Sequence, residues 1–138
     1  VKAERAIAYN TGIAAEYFVL SQLFRLGIEA YVSLGNKKAI DIRLVGSDGI
    51  ARSIDVKAVR GYSNLPVNNI TKAKDHFIVC VFYNNRFDEL KVLPEVFVIP
   101  SVEVDECLSH FGDQVRIQKG SIPPRHKDNW SVLQQVAA

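Results

Sequence analysis

The sequence contains no methionine, two cysteines, one tryptophan and five prolines among 138 residues. The two cysteines, Cys80 and Cys107, lack the spacing of a metal-ligand pair. Cys80 lies in the apolar run Phe77 to Phe82 and reads as a small buried hydrophobe. Both thiols are expected to be reduced and structural, with a cytoplasmic setting. The histidines His76, His110 and His126 also lack ligand spacing and read as structural or surface residues. No apolar run reaches the roughly 18 residues that a membrane span needs. The opening Val1-Lys-Ala-Glu-Arg5 lacks the apolar stretch of a signal peptide, and the missing methionine suggests a trimmed start. Internal repeats, low-complexity tracts and long linkers are absent too.

What is present is an ordinary globular composition, 48% hydrophobic and 23% charged, sized for a single domain over residues 1–138. The net charge of +2 is uneven: residues 1–74 carry +5 and residues 75–138 carry −3. A basic half suits a polyanionic partner.

Apolar residues Ile13, Tyr17, Leu20 and Phe24 recur at three- and four-residue steps. They predict a helix over 11–26, capped at Asn10 or Thr11 and stopped by Gly27. Strands are expected at 28–34, 39–45 and 50–59, the last two joined by a hairpin at Gly46-Ser-Asp-Gly49. Connections this short dictate an antiparallel meander. Residues 61–74 read as a loop. Further strands are expected at 76–83, 89–93 and 96–99. A helix from 101 should be capped by Ser101, residues 112–127 should be irregular, and a short helix should close the chain at 129–136. The fold class is α/β, an α+β mixed sheet ordered helix–three antiparallel strands–loop–strands–helix.

Strand alternation puts Asp41 and Arg43 on one face of the second strand, and Ser53, Asp55 and Lys57 on one face of the third. If Gly46 pairs with Ile50, counting back along the hairpin sets Asp41 opposite Asp55. Directly opposed carboxylates repel. Either Lys57 or a divalent cation can offset that repulsion, and an oxygen-rich site suits Mg²⁺ or Mn²⁺. On the helical wheel Glu16 falls between Leu20 and Leu23, inside the apolar arc, where an acid needs a partner.

An acid on a core-facing helix, Asp41 in Ala39-Ile-Asp-Ile-Arg43, and the triplet Asp55-Val56-Lys57 together resemble the PD-(D/E)xK nuclease superfamily, the restriction-endonuclease-like fold. Over residues 11–60 the chain is most similar to Holliday-junction-resolvase-like and intron-encoded members. The sequence departs from the pattern in having Ile40 before Asp41 and Asp55 in place of the commoner glutamate. The resemblance implies an Mg²⁺-dependent endonuclease that hydrolyses DNA phosphodiester bonds, working as a homodimer. Asp41, Asp55 and the Val56 carbonyl would hold the metal, with Glu16 on a second ion or its water. Lys57 would position the attacking water. Lys37, Lys38, Arg43, Arg52 and Arg60 would contact the DNA backbone, and Tyr62 and Asn64 would lie near substrate. The alternatives are a nuclease-fold module that binds nucleic acid without cutting it, and a protein-interaction module.

Overall fold

The computed structural model describes residues 2–33, 41–62, 64–67 and 70–137. Helix α1 (Lys2–Arg25) is followed by β1 (Ala30–Ser33), β2 (Asp41–Val45), β3 (Ala51–Val59), β4 (Asn64–Pro66), β5 (His76–Phe82) and β6 (Glu95–Pro100). A 3₁₀ segment, Ser101–Cys107, leads into β7 (Leu108–Phe111) and β8 (Gln114–Gln118). Two short 3₁₀ turns and helix α2 (Ser131–Ala137) complete the chain. One mixed sheet has the order β1-β2-β3-β5-β6, and a smaller sheet has the order β4-β8-β7. The architecture is therefore mixed α and β, with the expected antiparallel meander in β1, β2 and β3. Among the described residues no helix is long and apolar enough to cross a membrane.

The large sheet is covered differently on its two faces. Ala15, Val19 and Leu23 of α1 and Leu133 of α2 pack against Ile42, Leu44, Ile54, Phe77, Val79, Val81, Val96 and Val98. The opposite face carries Ile78, Cys80, Phe82, Phe97 and Ile99, which pack on Leu65, Ile117, Val104 and Cys107. β5 is thus buried on both sides, and this is why its sequence is a continuous apolar run rather than an alternation. The small sheet covers that second face over β5 and β6. Over β1 and β2 the same face is open, and Tyr31 and Arg43 on it are exposed.

Several elements differ from the sequence expectation. Helix α1 begins at Lys2, not near Thr11. Thr11 is not a cap: its hydroxyl donates to the Ile7 carbonyl one turn back, 2.7 Å away, so the helix runs through it. The buried stripe is Thr11, Ala15, Glu16, Val19 and Leu23, whereas Tyr17 and Phe24 are 50% and 57% exposed. Apolar residues cover more than half of the wheel, and the sheet takes only the arc centred on Val19. Residues 89–93 form turns, not a strand, and residues 112–127 contain β8. Ser101 makes no cap bond. Its buried hydroxyl donates to the Ala73 carbonyl at 2.7 Å and accepts from the Ala73 amide at 2.9 Å, tethering the 61–74 segment. That segment contains β4, and it makes the crossover to the parallel pair β3–β5 without an α-helix among the described residues.

Candidate active site

The β2–β3 hairpin is fixed at its turn. Gly49 donates to the Gly46 carbonyl at 3.0 Å, with Gly49 at φ +77°, a conformation that glycine adopts freely. The Asp48 carboxylate accepts from the Ile50 amide at 3.0 Å and from both terminal nitrogens of Arg52, at 3.2 and 2.9 Å. These bonds hold the Asp48 carboxyl down at about 2, the Arg52 guanidinium being the larger cause. Arg52 is 8% exposed and reaches Asp75 at 3.6 Å as well. Gly46 donates weakly to the Ile50 carbonyl at 3.5 Å, so these two residues do face each other. The ladder then pairs Val45 with Ala51, Leu44 with Arg52, Arg43 with Ser53 and Ile42 with Ile54. The ladder ends on that pair; continued by one residue, the same register would set position 41 opposite position 55.

Asp41 is described by its backbone, at the start of β2 and paired with Ser33 of β1. The Asp55 carboxylate and Lys57 Nζ are 3.2 Å apart, with the two side chains 23% and 25% exposed. In the parallel ladder Asp55 pairs with Ile78 and Lys57 with Cys80. The pair therefore lies where the open part of this face meets the part covered by the small sheet. Its charges are felt inside: burial is the main cause that raises the Cys80 thiol, followed by Cys107 and then Asp55, while Lys57 acts in the opposite sense. Val56 turns its side chain to the α1 side.

The open face adds two residues that the sequence reading did not assign to the site. His76 pairs with Ser53 in the ladder, and its Nδ1 is 2.7 Å from the Ser53 hydroxyl. Both precede Asp55 on the same face. The signal lay in non-local register: His76 starts a strand whose alignment with β3 no local pattern encodes.

Glu16 is 7% exposed, on the arc of α1 that packs against the sheet. Alternation sends Asp55 and Lys57 to the opposite face of β3, so the structure brings Asp55 and Lys57 together and sets Glu16 on the other side. Arg43 is exposed on the face of the Asp55–Lys57 pair. Arg60 is engaged elsewhere, donating to the Thr11 hydroxyl at 2.7 Å and stacking over the Phe87 ring at 3.9 Å. Arg52 is consumed by the turn. Tyr62 and Asn64 are exposed. Lys37 and Lys38 lie outside the described residues.

No protein-family model, no curated protein and no solved structure matches the chain.

Proposed function

We propose that this protein is a metal-dependent nuclease of the restriction-endonuclease-like kind, acting on DNA. The observation that supports this most is the hairpin register, which continued one residue past the Ile42–Ile54 rung would bring position 41 opposite 55, with Lys57 held 3.2 Å from Asp55 on a half-open face. The donor set fits a hard divalent cation: two carboxylates on adjacent strands repel unless a positive charge lies between them. Asp41, Asp55 and the Val56 carbonyl would hold Mg²⁺ or Mn²⁺, which supplies Lewis-acid activation of the phosphate. Lys57, steadied by Asp55, would orient the attacking water and offset charge that develops on the phosphate. Arg43, exposed on the same face, would contact the DNA backbone. His76 is anchored by Ser53, two residues before Asp55 on the same face. A duplex cut on both strands needs two sites, which a homodimer supplies. The two free buried thiols suit the cytoplasm.

The test is cleavage of supercoiled, linear and branched DNA in Mg²⁺ or EDTA. Lys57→Ala and Asp55→Asn are expected to lose about 10²–10³-fold in rate, while losing only ~1 kcal/mol of stability for one partly exposed ion pair. Undiminished, EDTA-sensitive cleavage by Lys57→Ala would refute the assignment.

One observation favours a second reading, a module that binds nucleic acid without cutting it. Glu16 lies across the sheet from the Asp55–Lys57 pair, so the helix acid is not gathered with them. In that case DNA binding persists in EDTA and in Asp41→Ala, and no DNA form is cut.

A further inference from the structure

A second group of ligating side chains lies outside the hairpin, where the Ser101–Cys107 segment meets the 3₁₀ turn Pro124–His126. A Glu106 oxygen, the Cys107 Sγ and a ring nitrogen of His126 all lie within 4.8 Å of one another. The sequence hid this, because 18 residues separate Cys107 from His126 and no short motif joins them.

The histidine carries the argument. His126 is 1% exposed. Its Nε2 is 2.9 Å from a Glu106 carboxylate oxygen, while its Nδ1 is buried with no hydrogen-bond partner. A carboxylate oxygen and an imidazole nitrogen at the Glu106–Nε2 separation can share a cation in place of the proton between them, with the Cys107 sulfur within reach of the same point. Cys107, fully buried beside it, supplies a soft donor. Glu106 stands at the surface and is held by Arg125, which also binds Glu103 at 3.0 Å.

We propose that Glu106, Cys107 and His126 form a binding site for a borderline-soft divalent cation, Zn²⁺ being the best match, which ties the Ser101–Cys107 segment to the Pro124–His126 turn. A thiol and an imidazole select Zn²⁺ over the Mg²⁺ suited to the hairpin carboxylates. Zinc bonds of about 2.0–2.3 Å in tetrahedral geometry put ligand atoms roughly 3.5 Å apart. The Cys107 sulfur must therefore draw in by about 1 Å, while the Glu106 oxygen and the His126 nitrogen, 2.9 Å apart, must open slightly. Arg125 can yield Glu106 and keep Glu103. On binding, the Cys107 sulfur exchanges its proton, lost to water, for the metal. Three protein ligands leave the fourth position open to solvent at the Glu106 side. Without metal the thiol is inert, since burial pushes it up to about 11.

The test is titration of the purified protein with Co²⁺, read by its thiolate-to-cobalt charge-transfer band, with Zn²⁺ as competitor. The wild type should give the band and lose it to Zn²⁺. Cys107→Ser should abolish it, Glu106→Gln should weaken binding about 10–100-fold, and Cys80→Ser and Asp55→Asn should leave it intact. Absence of the band in the wild type, or its persistence in Cys107→Ser, overturns the proposal. If Cys107→Ser does not fold, Glu106→Gln at its exposed position decides alone, and undiminished binding there overturns it. Asp55→Asn keeps the outcome separate from that of the nuclease reading.

Discussion

Replacing Gly46 by alanine should destabilise the protein through one added methyl group. A Cβ at position 46 would lie 2.6 Å from Arg52 Nη1, 2.7 Å from the Val136 carbonyl oxygen and 2.9 Å from Asp48 Oδ1. Two of these atoms end side chains that can swing away, though only by disturbing the Arg52–Asp48 pairing that sets the hairpin. The third is backbone at the end of α2 and moves only with the helix. Overpacking of this kind costs about 1–3 kcal/mol. Unfolding entropy of about 2.1 cal/mol/K per residue over this chain makes 1 kcal/mol worth roughly 3–4 °C, so Tm should fall by about 3–10 °C. Gly12→Ala is the matched control. It lies inside α1 with nothing within 4 Å of an added Cβ, and removing a helical glycine should raise stability by about 0.5–1 kcal/mol. Thermal melts followed by far-ultraviolet circular dichroism compare the two. A Gly46→Ala melt within about 1 °C of wild type would refute the steric argument, as would a fall in Gly12→Ala.

The acid limb of stability should depend on Asp48. Its carboxyl is lowered from 3.8 to about 2 on folding, so its contribution is fully present above pH 4 and is lost as pH falls from 4 through 2. Asp48→Asn should flatten denaturation curves over that window, and an unchanged limb would count against the pairing. On α1, Leu23→Ala should cost about 2–5 kcal/mol as a core truncation, whereas Phe24→Ala should stay within about 0.5 kcal/mol as a surface change. Urea titration of both variants checks which stripe faces the sheet.

The parts that the sequence revealed were those governed by local chemistry. The Gly46 to Gly49 turn specified the register of β2 and β3 as far as the Ile42–Ile54 rung, from which the opposition of positions 41 and 55 follows only by count. The run from Phe77 to Phe82 announced a strand, and Pro100 its neighbour's end. Other features depended on partners distant in the chain. Asn10, Thr11 and Gly12 look like a helix start, but Thr11 satisfies itself on Ile7 and the helix continues. Two apolar stripes compete on α1, and only the sheet decides that Val19 and Leu23 go inward while Tyr17 and Phe24 stay out. Ser101 reads as a cap until the Ala73 backbone arrives to bind it. The three-residue strand β4 is shorter than any periodicity could reveal, and it exists because β8 pairs with it. The candidate site divides in the same way: Asp55 and Lys57 were legible from spacing, His76 and the Cys107–His126 meeting were not, and Glu16 was rightly read as buried although its face is set by the sheet.

β3 and β5 pair in parallel across 16 intervening residues, while β2 and β3 close through a tight turn. Closure entropy grows with loop length, so the hairpin is expected to form early and the parallel ladder late. Until that ladder closes, the segment His76–Phe82, apolar on both faces, has neither of its covering layers. It is then the stretch of the nascent chain most prone to pair with another copy of itself. The strand that anchors the finished core is thus the chief aggregation hazard on the way to it, and the speed of its docking on β3 should govern the yield of folded protein.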